Sequence, residues 1–168
     1  ANVSRGKVIF CLLRDLSILN RPLMMYNCFM IGAISGKIIY KDNKKLTIET
    51  QSGLGYLVFC PLSVIEKAVL EENIRLWTHL AVRENALDLY GFLDREDLDF
   101  FELLISNISG VGPKSALTIL NTASVAVLKK AIASNDAGYL SKTSGIGKKT
   151  AEKIVIELKD KIGVNEHG

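Results

Sequence analysis

Two short stretches of this 168-residue chain carry the same residue types at the same spacing, and both suit the capture of an anion. One is Ile108-Ser109-Gly110-Val111-Gly112-Pro113-Lys114-Ser115-Ala116. The other is Thr143-Ser144-Gly145-Ile146-Gly147-Lys148-Lys149-Thr150-Ala151, and the two align without a gap, 35 residues apart. Such self-similarity marks a repeated structural unit. In each copy one apolar residue sits between two glycines, apolar-periodic segments flank the turn, and an alanine stands four residues past the second glycine. This is the helix-hairpin-helix pattern. The glycines permit dihedral angles closed to other residues, and without a Cβ they let another molecule approach the backbone. Val111 and Ile146 are expected to plug each turn into the apolar space between its helices. The first-turn N–H groups of the second helix have no acceptor within the helix, and the positive end of its dipole lies behind them. Lys114, Lys148 and Lys149 add charge, and Ser115 and Thr150 offer hydroxyl donors. Donors of this kind address phosphate oxygens. The predicted ligand is therefore a sugar-phosphate backbone, held without regard to base sequence and released steeply by salt.

Two plainer readings compete. A single Gly-x-Gly turn between helices is commonly just a helix terminator, but two copies with matching lysines and hydroxyls point beyond that. A nucleotide phosphate loop needs the pattern G-x-x-x-x-G-K-[ST]. Lys142 stands where its first glycine belongs and Lys149 where its hydroxyl belongs, so no ATP site is supported.

The elements that position these turns follow from periodicity. Residues 1–29 have mixed character and no clean period; they read as an N-terminal extension, with Met30 as the ordinary start of the domain. Val8 to Leu19 is apolar, but Arg14 and Asp15 interrupt it and it is too short to span a bilayer. Residues 30–93 alternate like strands: Ile31 to Tyr40, Lys45 to Thr50, Gly55 to Cys60, Ile74 to Arg83, and Leu87 to Phe92, with turns at Asp42-Asn43-Lys44 and Ser52-Gly53. A short helix, Leu62 to Leu70, opens after Pro61. Three strands, a helix, then two strands is the order of a five-stranded OB-fold barrel. On the fourth strand Ile74, Leu76, Thr78, Leu80 and Val82 share the apolar face. His79 lies opposite, and reads as a hydrogen-bonded surface or interface residue.

Residues 94–162 change to helical period. Asp94, Glu96 and Asp97 suit a helix start, and Leu98, Phe101, Leu104, Ile105 and Ile108 form its apolar stripe. Further helices are expected at Pro113 to Leu120, Val125 to Ala133, Gly138 to Lys142 and Lys148 to Ile162, making an all-helical tandem helix-hairpin-helix domain. The fold class is thus α+β multidomain.

Bulk charge gives no separate argument for nucleic acid. The formal net charge of +3 sits wholly within residues 1–29, while the rest carries 17 Lys/Arg against 17 Asp/Glu. Affinity for phosphate must come from local geometry. The three cysteines, Cys11, Cys28 and Cys60, are widely spaced, and only His79 and His167 accompany them. No metal-ligand spacing occurs, no cofactor is implied, and a reducing cytoplasm is the simplest setting.

Together with Tyr90-Gly91-Phe92, the string Ser109 to Lys114 and the string Gly145 to Lys153, this order of elements resembles the RuvA family of bacterial Holliday-junction recognition proteins, from Met30-Ile31-Gly32 to about Ile162. The resemblance implies a homotetramer, single or stacked as an octamer, whose hairpins grip four-way junction DNA. It also implies a RuvB ATPase that pumps the DNA and a RuvC endonuclease that resolves it. In the family, two adjacent acids at the turn between the last two barrel strands form a pin at the junction centre. These positions fall on Glu84 and Asn85, so the second acid is missing unless Asp88 contributes. Taken without the family, Glu84 and Asn85 are an ordinary polar hairpin turn. Family members continue through a flexible linker to a third helical domain that contacts RuvB; residues 163–168 read as the start of that linker, and the domain itself reads as missing from this sequence, by truncation or by loss.

Two other functions are compatible with parts of this pattern. A DNA repair glycosylase or nuclease would use the hairpins to hold substrate, but needs a catalytic Asp or Lys beside one. No nucleophile with a base is found, so no catalytic residue is assigned. An OB-fold single-strand binder would need a stacking platform, and Tyr56, Trp77 and Tyr90 do not form an aromatic run.

Overall fold

The computed structural model describes residues 31–144 and 146–162, without the side chains of residues 143 and 144. The extension read at 1–29, Met30, Gly145 and the linker read at 163–168 lie outside the described residues.

The alternating segments become β1 (Ala33–Lys41), β2 (Lys45–Glu49), β3 (Gly55–Phe59), β4 (Asn73–Arg83) and β5 (Ala86–Phe92). They close into a barrel in the order β1-β2-β3-β5-β4, antiparallel except between β3 and β5. Inward-facing residues of period two fill it: Ile34 and Ile38, Leu46 and Ile48, Val58, Leu76 and Leu89 are buried. Thr78 is also fully buried, and its hydroxyl donates to Ile31 O at 2.6 Å, which satisfies it.

α1 (Leu62–Lys67) is shorter than its apolar pattern suggests. Ala68 is extended and Glu71 takes φ +70, so the chain turns back toward β1. There Glu71 N–H donates to Ile38 O, and Ile38 N–H to Glu72 O, both at 2.9 Å. Pairing with β1 replaces the last helical turn. The β1–β2 register shifts between Ile38 and Tyr40, and Ile39 and Tyr40 are both exposed.

The expected faces of β4 hold only up to Leu80. Val82, read on the apolar face, is exposed, whereas Ala81 on the opposite face is buried. The reason is that the β4–β5 hairpin runs on past the barrel interior, with Val82 opposite Leu87 and both open to solvent.

The helices are α2 (Arg95–Asn107), α3 (Pro113–Leu120), α4 (Val125–Ala133), α5 (Ala137–Ser144) and α6 (Lys148–Ile162). Asp94 is extended at the start of α2, but its side chain makes no cap hydrogen bond. The buried stripe of α2 is wider than its simple period: Phe100 is buried, while Ile105 is only half-buried. α2 is covered on two sides, by β4 and β5 and by the other helices. Phe101 packs against Phe92 at 4.9 Å and Tyr90 at 5.3 Å between ring centroids. Tyr90 and Phe92 therefore belong to the helical core and not to the barrel interior. One core runs from β5 to α6 without a seam.

His79 sits at this junction. Its Nδ1 is 3.0 Å from Glu102 Oε1, both side chains are mostly buried, and its ring meets Phe101 edge-on at 5.5 Å. His79→Ala leaves the mostly buried Glu102 carboxyl group unpaired, so it is expected to cost about 1.5 kcal/mol of stability. A urea titration read at 222 nm checks this; an unchanged midpoint would show that the contact is ornamental.

Candidate nucleic-acid interface

The first hairpin joins α2 to α3. Val111 N–H donates to Ile108 O at 3.0 Å, closing the turn, and Gly110 takes φ +90, a conformation that favours glycine. Val111 is 5% exposed and packs into the helical core, as its apolar character predicts. Gly112 differs from the expectation made for both glycines. Its φ of −92 and ψ of 176 are open to any residue, and a Cβ there would meet nothing within 4 Å. Nothing in the chain's own packing requires glycine at this position. Pro113 occupies the start of α3, where its missing N–H costs nothing. Ala116 N–H makes the first helical bond, to Gly112 O at 2.9 Å. The N–H groups of Lys114 and Ser115 precede it, at an exposed surface.

The second hairpin joins α5 to α6, and its described residues from 146 onward follow the same pattern. Ile146 is half-buried against the same core, and Gly147 is exposed, again with open space around a notional Cβ. Gly147 O accepts Thr150 N–H at 2.9 Å and Ala151 N–H at 3.1 Å, leaving the first-turn N–H groups of Lys148 and Lys149 outward. Both lysines are exposed and Thr150 is half-buried. Ala116 and Ala151, four residues past the second glycine of each copy, are both fully buried. They let the helices of each unit close upon one another.

The hairpins are tied together by a residue to which the sequence reading gave no role. Lys153, on α6, donates to Ser109 O at 3.0 Å, so the second unit holds the turn of the first. No local signal distinguishes Lys153 from the other lysines of α6; the contact spans 44 residues.

Glu84 and Asn85 form the exposed two-residue turn between β4 and β5, flanked by the pair Arg83 and Ala86. Asp88 lies on the outgoing strand β5. Its carboxylate is mostly buried and ion-paired with the Arg83 guanidinium, leaving Glu84 as the free carboxylate of the turn. Cys60 is buried, and burial pushes its thiol up to about 12, so it holds no thiolate near neutral pH. Among the described residues no group of His, Cys, Asp and Glu is arranged to hold a metal ion. No single described helix is long and apolar enough to cross a membrane.

A closed, OB-like five-stranded barrel leading into two tied helix-hairpin-helix units defines a class of barrel-plus-tandem-hairpin proteins. Residues 30–91 match the RuvA N terminal domain, and residues 101–160 match the SAM-like helix-hairpin-helix tandem. The chain belongs to the RuvA family. It is 44% identical over 134 residues to the Holliday junction branch migration complex subunit RuvA of Acetivibrio thermocellus, covering 79% of this chain and 65% of that protein. The subunit of the same name from Psychrobacter arcticus is 44% identical over 133 residues, covering 79% and 64%. That from Syntrophotalea carbinolica is 42% identical over 134 residues, covering 80% and 67%. The chain thus spans about 65% of the length of the curated relatives it matches.

Proposed function

We propose that this chain binds four-way DNA junctions through their sugar-phosphate backbones, without base readout and without a catalytic step of its own. The observation that carries the reading is the pair of hairpins with glycines at 112 and 147 that the fold itself does not need. Each leaves room for a phosphate to approach first-turn N–H groups at the positive end of a helix, beside Lys114 and Ser115 in one copy and Lys148, Lys149 and Thr150 in the other. The names of the relatives supply the junction and the branch-migration setting.

Specificity for the junction belongs to an assembly. A homotetramer, alone or stacked as an octamer, would present four hairpin pairs to four arms, with a RuvB-type ATPase driving migration, a RuvC-type endonuclease resolving the product, and a cytoplasmic setting. The decisive comparison is binding to four-way junction, duplex and single strand over a salt series, with native mass measurement of the complexes. Junction binding is expected to be tightest and to fall steeply with salt. A preference for duplex or single strand overturns the reading. The single-strand alternative is disfavoured by the aromatic residues themselves. Tyr90 is 2% exposed, and Arg75 and Arg95 each lie 5.5 Å from the Trp77 ring centroid.

The turn at Glu84 and Asn85 acts in this reading as a weakened pin. Carboxylates near crossing phosphates repel continuous duplex and favour separated strands. Asn85→Asp restores a second carboxylate per subunit, and is expected to raise the ratio of junction to duplex affinity about threefold, on the scale of one screened like-charge contact. Identical ratios and identical migration rates for the two proteins would show that the turn is not a pin.

A further inference from the structure

Between the barrel and α3 lies a cleft of about 290 Å³ with basic residues from both sides and Tyr90 in its lining. Lys44, from the β1–β2 turn, lines it from the barrel, and Lys114, in the first turn of α3, lines it from the helices. Both lysines are exposed, and no carboxylate among the described residues pairs with either.

The frame around the cleft is set by the backbone. Asp42 Oδ1 accepts the N–H groups of Lys44 and Lys45 at 2.8 and 2.9 Å, and Cys60 N–H donates to Lys44 O at 3.1 Å. Across the cleft, Asn121 Oδ1 accepts Leu62 N–H at 2.7 Å, which holds the end of α3 against the barrel. Its position is therefore fixed before any ligand arrives.

Tyr90 supplies the third group. Its residue is 2% exposed and its ring packs between Phe59 and Phe101, yet its hydroxyl has no hydrogen-bond partner among the described residues. No fully enclosed side-chain nitrogen or oxygen in the described structure lacks a partner, so this hydroxyl keeps contact with solvent, and Tyr90 is among the residues that line the cleft. Burial raises the phenol, with Arg83 opposing, so the group keeps its proton and donates. A neutral O–H donor on a residue that lines the same cleft as two lysines matches the non-bridging oxygens of a phosphate.

We propose that Lys44, Lys114 and the Tyr90 hydroxyl form a third phosphate site, where the DNA strand leaving the first hairpin crosses onto the barrel. The site rests on the junction-binding reading above and extends it. Continuity is the argument for a strand over a free anion: Lys114 belongs both to the first turn of α3, where the hairpin presents its N–H groups, and to the cleft.

The test uses the full chain, a labelled four-way junction and a potassium chloride series. Lys44→Ala is expected to lower affinity about fivefold at low salt, and to reduce the slope of log affinity against log salt by about 0.9, the value for one phosphate contact. Tyr90→Phe is expected to lower affinity about threefold with the slope unchanged, because it removes a neutral donor. Lys67→Ala, which removes the same charge from exposed α1, should match the parent. If the parent binds and Lys44→Ala keeps its slope, or Lys67→Ala loses as much, the site is overturned while the hairpin reading stands. A parent that binds no DNA overturns both.

Discussion

Replacing Gly112 and Gly147 together by alanine is expected to lower junction affinity about a hundredfold while leaving the fold as stable as before, or slightly more so. Neither methyl group meets an atom within 4 Å, and neither glycine has the positive φ that would strain alanine. Loss of glycine's freedom in the unfolded chain favours the folded state by about 0.4–1 kcal/mol per site. At the surface the effect is opposite. Each methyl stands where a phosphate would approach the first-turn N–H groups, and a hydrogen bond to a charged group contributes about 1.5–3 kcal/mol. Two hairpins impaired by about 1.5 kcal/mol each give about 3 kcal/mol, or about two powers of ten. Fluorescence anisotropy with a labelled junction, beside urea melts of both proteins, separates the two quantities. Equal affinities in equally stable proteins would mean that the backbone amides do not meet phosphate. Gly110→Ala is the contrasting case. Its φ of +90 makes alanine strained, so it should lose about 1–2 kcal/mol of stability.

The largest expected effect on folding falls in the barrel, at Gly36→Ala. A Cβ there would lie 2.2 Å from Glu49 O and 2.8 Å from Glu49 C, both backbone atoms of the neighbouring strand. Lys37 is in register with Glu49, and Gly36 with Ile74 on the other side, so neither strand can move away without opening the ring. We expect a loss of about 3 kcal/mol or more. Gly91→Ala is also crowded, but it meets Val58 Cγ1 at 2.5 Å and Leu76 Cδ1 at 2.9 Å. These are side chains of the packed barrel interior, which yield by repacking where the backbone of a closed ring cannot, and the expected loss is about 2 kcal/mol. Urea unfolding followed through Trp77, the sole tryptophan, should rank Gly36→Ala below Gly91→Ala. The reverse order would show that the β1–β2 seam yields more readily than the barrel interior.

Much of this architecture was legible because single residues announce it locally. Pro113 marks the start of α3, and alternation through Leu46 and Ile48 marks β2. The buried alanines at 116 and 151 follow directly from the repeat. What escaped the sequence was set by partners far along the chain. Glu71 and Glu72 end the Leu62 helix early by bonding to Ile38, and Phe100 is buried because α2 is covered on two sides. Lys153 reaches Ser109, 44 residues away. The candidate site divides along the same line. The hairpin residues could be read from types and spacing, whereas the Lys44–Tyr90–Lys114 cleft is created by docking a barrel turn beside a helix, and no sequence interval encodes that.

Closure of the barrel also limits how this chain can join others. A sheet with free borders offers rows of unpaired amides and carbonyls on which a foreign strand can grow. Here β4 pairs with β1 along five residues and with β5 along seven, completing the ring. Among the described residues strand addition is therefore confined to short borders, such as β4 beyond Thr78, and a larger assembly would rest mainly on side-chain surfaces, which makes its formation sensitive to point substitutions.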